Sequence, residues 1–221
     1  MDDKNYALRV LVSGNDEQRH AAFLLTDQAE PEVIHLAWHK YLMKQTVPVF
    51  KANAGEFIDF ECRSFSEYEQ EEIISFIKVL WRRNSSTVPY SIMNDGTGSF
   101  FNLDGTMPKK DAGMGLTCAT FVMSVFSIQG FPLIDESTWQ ARPEDKKWHE
   151  KIISKLKEIE HIDPQHIENQ IKYIGISPRF RPEEVIGCAA DYNNQPQNFC
   201  GAIGSGEKVL RIMREAGLIA S

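Results

Sequence analysis

The chain has 221 residues, of which 42% are hydrophobic and 25% charged, and its mean hydropathy is -0.34; this composition is typical of a globular protein that buries its own core. The formal net charge is -7 and the pI is about 5.4, which disfavours nucleic acid and anionic membrane as partners, because basic surfaces bind both. No apolar stretch approaches the roughly 20 residues that span a bilayer, so we expect no integral membrane segment.

The N-terminal segment and the cysteines favour a cytoplasmic protein. The first residues carry acidic side chains where a secretory signal carries basic ones, and no apolar region with a small-residue cleavage site follows. The four cysteines include no CxxC pair, and a chain of this length does not need disulfides to fold. We therefore expect reduced thiols, with the mature form of an exported protein as the alternative.

The first third of the chain predicts an antiparallel sheet. Its apolar segments are short, rich in β-branched and aromatic residues, and separated by turn-forming clusters such as SGNDEQ and ANAG. The predicted strands are residues 6–14, 19–26, 32–38, 46–52 and 56–65.

Two helices are predicted next, separated by a long irregular segment. Ser66 and Glu69 form a capping-box pattern that begins a helix over residues 66–83. Residues 84–115 are rich in turn formers, and irregular segments of that length inside a compact domain are often functional. A short buried helix follows in TCATFVMSVFSIQG, where Thr117 can cap the start and Gly130 can end it.

Residues 132–221 predict a helical extension that packs on a core formed by residues 1–131, as part of the same folded unit. The expected helices cover residues 143–160, 163–174, 181–192 and 206–218, with Pro143 and Pro182 suited to first turns. GAIGSGEK at 201–208 matches neither the P-loop nor the dinucleotide fingerprint, and we interpret it as a turn before the last helix.

Cys118 is the candidate nucleophile. It begins the predicted short helix, where backbone N–H groups and the helix dipole favour a thiolate. The N–H at the same position can donate to the oxyanion that forms when a carbonyl is attacked. A buried cysteine that acts only as a small hydrophobic residue is the alternative, so the prediction depends on a partner base.

His20 and His35 are the candidate partners. They lie on neighbouring predicted strands, and side-chain alternation lets both imidazoles share one sheet face if the register is right. Taken singly, a histidine at a strand edge is usually a solvated or structural residue. His161 and His166 lack the spacing that places two metal ligands on one helix face, and neither Cys188 nor Cys200 belongs to a CxxC motif. We therefore expect neither a metal nor a cofactor.

The order of these motifs resembles the circularly permuted papain-like thiol enzymes, the branch that includes lecithin:retinol acyltransferase-like proteins and bacterial NlpC-like hydrolases. The resemblance covers roughly residues 6–131. It rests on RHAAFLLTDQAEPEVIHLAW from residue 19, on VPYS at 88–91 and on CATFV at 118–122. Residues 132–221 have no counterpart in it.

This resemblance implies an α+β, permuted papain-like fold with the nucleophile at a helix N-terminus. It implies Cys118 as nucleophile, His20 as base and His35 as the residue that orients it, with Tyr90 and Thr117 next to substrate or oxyanion. We therefore expect a soluble cysteine amidase or peptidase that forms a thioester with a peptide, amide or acyl substrate. The alternatives are a thiol acyltransferase or lipid-directed hydrolase with the same residues, and a non-catalytic binding module on the same scaffold.

Overall fold

A computed structural model describes residues 6–93 and 96–220. The fold is α+β, as predicted, and the described residues form one five-stranded sheet and seven α-helices. All neighbouring strands are antiparallel, in the order β4-β3-β2-β1-β5. The strands are β1 (Leu8–Gly14), β2 (Arg19–Leu25), β3 (Glu32–Trp38), β4 (Tyr41–Thr46) and β5 (Phe57–Glu61).

The helices follow capping signals in the sequence. Ser66 and Glu69 form a reciprocal capping box at the start of the helix predicted over residues 66–83. Thr117 caps the short helix that starts at Cys118. In chain order the helices are α1 (Val47–Ala54), α2 (Glu67–Asn84), α3 (Cys118–Ile128), α4 (Asp145–Lys157), α5 (Pro164–Ile171), α6 (Pro182–Ala190) and α7 (Phe199–Glu215).

The prediction of a strand over residues 46–52 is wrong. The fourth strand lies earlier, and the predicted segment forms α1 instead. Pro48 explains the difference, because proline lacks the N–H that a strand donates and fits the first turn of a helix. Phe50 then lies fully buried under the sheet.

The prediction of a turn over residues 201–208 is also wrong, because this segment lies inside α7, which begins at Phe199. Asn198 caps it by accepting a hydrogen bond from the Gly201 N–H at 2.9 Å. Glycine is needed where α6 and α7 meet, because a Cβ on Gly187 would lie 2.6 Å from the Ser205 backbone. Of the glycines that suggested a turn, Gly206 also lies at this contact, since its Cβ would be 2.9 Å from Glu184 Cγ.

Both faces of the sheet are buried. Val10, Phe23 and Ile34 face the main core, which also contains the apolar residues of α2, α3 and α6. Leu24 and Val33 face the other side, where they pack on Phe50 of α1. Because α6 contacts β1 and β2, the C-terminal third shares its hydrophobic core with the strands.

Candidate active site

Cys118 begins α3 at a well-capped helix start. The Thr120 N–H donates to the Thr117 hydroxyl at 3.2 Å, and the Thr117 N–H donates to the Thr120 hydroxyl at 2.8 Å. Burial raises the pKa of the Cys118 thiol above its ordinary value, while the N–H of Ala21 and the charge of Arg179 act in the opposite direction. Burial dominates, so the thiol is protonated at neutral pH.

The glycine-rich approach to Cys118 lies directly against residues 88–93. Tyr90 pairs with Leu116 through a parallel bridge, and the Gly115 N–H donates to the Met93 carbonyl at 2.9 Å. A Cβ on Gly115 would lie 2.4 Å from the Pro89 carbonyl oxygen. Only glycine therefore permits the contact that carries Tyr90 to the start of α3.

Tyr90 is held on several sides. Its ring packs on Trp38 with 4.6 Å between centroids, its N–H donates to His39 Nδ1 at 3.3 Å, and its carbonyl oxygen lies 3.0 Å from His166 Nε2. Burial, followed by the neighbouring Cys118, raises the pKa of the Tyr90 phenol well above 10. The phenol is therefore a protonated hydrogen-bond donor beside the thiol.

His20 and His35 form a hydrogen-bonded pair. Nε2 of His20 lies 2.7 Å from Nδ1 of His35, beyond Phe23 and Ile34, where the regular pairing of β2 with β3 ends. Burial, followed by the charge of His35, lowers the pKa of His20 to about 3, and burial lowers that of His35 to about 4. Both imidazoles are therefore neutral at pH 7.

One pocket of about 30 Å³ gathers most of the candidates. His20, Tyr90, Thr117 and Cys118 all line it, and His35 is linked to it through His20. Within the described ranges no hydrogen bond joins the His20 ring to the thiol; the thiol interacts instead with the N–H of the next residue, Ala21.

The histidine pair and α3 pack on different faces of the sheet. The rings of His20 and His35 lie 6.4 and 5.1 Å from the ring of Phe50, on the side that α1 covers. Helix α3 packs on the main core. His20 shares a pocket with Cys118 because it is the second residue of β2, at the end of the sheet beside the start of α3.

Thr117 lies in the cap of α3, and its role next to substrate or oxyanion stays a prediction. Its N–H and its hydroxyl are both engaged with Thr120 in the cap of α3. It lines the pocket, yet its observed contacts fix the start of the helix and so the position of Cys118.

Gln45 and Arg179 are two pocket-related residues that the sequence analysis missed. The Gln45 Oε1 atom lies 3.3 Å from His35 Nε2. The Arg179 guanidinium lies over the Trp148 ring, 4.2 Å from its centroid, and both side chains line the Cys118 pocket. Strand alternation after His35 could have identified Gln45 had β4 been predicted, whereas no local signal singles out Arg179.

Comparisons with protein families, with curated protein sequences and with solved structures found no match. The described residues contain no group of three or more His, Cys, Asp or Glu side chains that could hold a metal ion. In the same part of the chain, no helix combines the length and the apolar character needed to cross a bilayer.

Proposed function

We propose that this protein is a cysteine hydrolase that cleaves an amide or peptide bond, built on a circularly permuted papain-like core. The observation that carries the proposal is the shared pocket: Cys118, at a capped helix start, lies beside His20, and His20 is hydrogen-bonded to His35. The chain order of these three residues, from strand to strand to helix, is the order of the resembled family.

His20 Nδ1 acts as the general base. Nε2 of His20 is occupied by His35, so Nδ1 is the nitrogen that can accept the thiol proton. Because burial raises the thiol pKa and keeps His20 neutral, proton transfer accompanies the attack of sulfur on the carbonyl, with no ion pair formed beforehand. Substrate binding brings Nδ1 and Sγ to hydrogen-bond distance, as catalytic contacts in empty sites commonly tighten on binding.

Two donors stabilise the oxyanion. The Cys118 N–H lies in the first turn of α3, where no intrahelical acceptor exists. The protonated Tyr90 phenol lies beside the same thiol. Donors fixed in a buried site stabilise developing negative charge more strongly than water does.

The bonds and protons balance over two half-reactions. A carbon–sulfur bond forms, the carbon–nitrogen bond breaks, and the leaving amine takes the proton from the His20 imidazolium, which leaves a thioester on Cys118. Water then attacks the thioester as His20 Nδ1 takes its proton. The carbon–sulfur bond breaks, the carboxylic acid departs, and the thiol recovers the proton.

A non-catalytic binding module is the second candidate function. It is favoured by the lack of a hydrogen bond between His20 and Cys118 among the described residues and by a pocket volume of about 30 Å³, which is close to the share of one water molecule in the liquid. A peptide can reach the thiol only if lining side chains such as Trp148 and Phe180 move.

Intact mass spectrometry on purified protein tests the proposal. The protein is incubated separately with peptide p-nitroanilides, with short-chain p-nitrophenyl esters and with long-chain acyl esters. We expect an acyl adduct on Cys118 and turnover of the peptide amides. The adduct should be lost in Cys118→Ala and kept in Cys200→Ala, which changes an exposed thiol.

Each other result has a defined meaning. Stable acylation by long-chain esters alone, with transfer to an added acceptor, would replace the hydrolase with an acyltransferase. No adduct and no turnover with any probe, in protein that is folded by circular dichroism, would favour the binding module.

A further inference from the structure

The partner of His20 is itself an imidazole, and an imidazole leaves the position of the proton undecided. A carboxylate or an amide oxygen that orients a catalytic histidine can only accept a hydrogen bond. A neutral histidine accepts at one ring nitrogen and donates at the other, so the contact between His20 and His35 is compatible with two opposite proton arrangements. Only one of them leaves His20 Nδ1 free to act as a base.

Gln45 decides which of the two proton arrangements the histidine pair adopts. Its Oε1 lies 3.3 Å from His35 Nε2, and an amide oxygen only accepts, so His35 Nε2 carries the proton. His35 Nδ1 is then a lone pair, and it accepts from the Nε2–H of His20 at 2.7 Å. The remaining nitrogen of His20, Nδ1, is left without a proton.

We propose that Gln45 is a positioning residue that sets the tautomers of both histidines and thereby makes His20 Nδ1 the base, an inference that rests on the proposed function. The opposite amide orientation would present N–H₂ to His35, move its proton to Nδ1 and leave His20 Nδ1 protonated. The amide nitrogen of Gln45 is directed instead to the Met43 sulfur, at 3.9 Å.

The fold holds the three side chains in line. In the pairing of β3 with β4, Gln45 lies opposite Val33 and Met43 opposite His35, so Gln45 and His35 are diagonal neighbours on one face. Phe50 contacts the His35 ring edge to face at 5.1 Å between centroids. His35 is 5% exposed, so water is a poor substitute for the amide oxygen.

Histidine side-chain nitrogen NMR measures the tautomers directly, without any substrate. In two-bond proton–nitrogen spectra of the ¹⁵N-labelled protein at pH 7, we expect His20 and His35 both to carry the proton on Nε2. In Gln45→Met, which has similar volume and no amide, we expect mixed tautomers for both. Gln45→Glu restores an acceptor oxygen and should restore the Nε2–H form.

Acylation of Cys118 by a short-chain p-nitrophenyl ester gives the second readout. We expect Gln45→Met to slow acylation by about 10- to 100-fold, less than the roughly 10⁴-fold that is lost when the orienting partner holds a catalytic histidine in the wrong tautomer. Gln45→Glu should recover most of the rate. Tyr41→Phe, which alters an exposed side chain on the same strand, is the matched control and should change little.

The two proposals fail in different ways. Nδ1–H on His20 in the unmodified protein, or unchanged tautomers in folded Gln45→Met, would overturn the role of Gln45 even if Cys118 is acylated. Nε2–H on both histidines that becomes mixed in Gln45→Met, with no acylation of any variant, would support the tautomer assignment and overturn the hydrolase.

Discussion

Nε2 of His20 lies 2.7 Å from Nδ1 of His35, at the end of the sheet where the pairing of β2 with β3 has stopped. The two rings are almost perpendicular, at 82°, so the contact joins a nitrogen of one ring to the edge of the other. A hydrogen bond between two neutral imidazoles requires one donor and one acceptor. The pair is therefore directional, and the direction decides whether His20 can accept a proton from Cys118.

The buried thiol should alkylate slowly at neutral pH. Because burial raises the Cys118 pKa above its ordinary value near 9, the alkylation rate with iodoacetamide should still be rising at pH 9. Arg179→Gln should raise the thiol pKa further and slow the reaction, since the guanidinium charge favours the thiolate. The measurement is the modification rate of Cys118 by mass spectrometry between pH 6 and 10.

Arg181→Gln is the control for that experiment. Arg181 pairs with Glu144 and Asp145 at 2.9 and 3.1 Å and does not line the Cys118 pocket. Its loss should leave the alkylation profile of Cys118 close to that of the unmodified protein. An alkylation plateau below pH 8 would contradict the raised pKa.

Acid should destabilise the protein below about pH 6.5. Burial lowers the pKa of His35 and of His39 to about 4 in the folded state, whereas in the unfolded chain both titrate near 6.5. Above pH 6.5 both states are neutral and the stability is fully present. As the pH falls toward 4, the unfolded chain binds protons that the folded protein does not, so each such histidine lowers the unfolding free energy by up to about 1.4 kcal/mol per pH unit.

Urea unfolding at pH 7, 6 and 5 measures this loss. His39→Gln is the informative variant, because glutamine can still accept from the Tyr90 N–H but does not titrate. The unfolding free energy of His39→Gln should fall less steeply with decreasing pH than that of the unmodified protein. Equal slopes would mean that His39 has the same pKa in the folded and unfolded states, which would contradict the lowered pKa.

Much of the fold follows from local patterns in the sequence. Alternation predicted the first three strands and the last one, and the capping residues Ser66 and Thr117 predicted the starts of α2 and α3. Side-chain alternation also indicated that His20 and His35 could share a face. These features depend on residues close together in the chain, where hydrophobic period and capping chemistry are informative.

The features that the sequence analysis predicted wrongly or missed depend on contacts between distant parts of the chain. The glycines of α7 suggest a turn in the sequence, and only the folded structure shows that Gly187 of α6 packs closely on Ser205 of α7. Arg179 reaches the pocket only because the C-terminal third packs on the sheet. Gln45 required β4, which the prediction placed at α1, so its relation to His35 was lost with the strand.

Close packing of α6 on α7 predicts opposite effects at two glycines. Gly187→Ala should lower the unfolding free energy by about 1–3 kcal/mol, because its Cβ would lie 2.6 Å from the Ser205 backbone. Gly204→Ala, on the same helix pair but with no atom within 4 Å of the added Cβ, should raise it by about 0.4–1 kcal/mol. Chemical denaturation of the two variants compares them, and a neutral Gly187→Ala would contradict the packing.

The first-order rate of Cys118 acylation by a short-chain p-nitrophenyl ester at pH 7, compared between the unmodified protein and His20→Gln, tests the central claim most directly. The predicted result is rapid formation of one acyl adduct on Cys118 and a loss of about 10²- to 10⁴-fold in His20→Gln, the usual contribution of a general base. Acylation of Cys118 at the same rate in both proteins, with His20→Gln folded by circular dichroism, would contradict it.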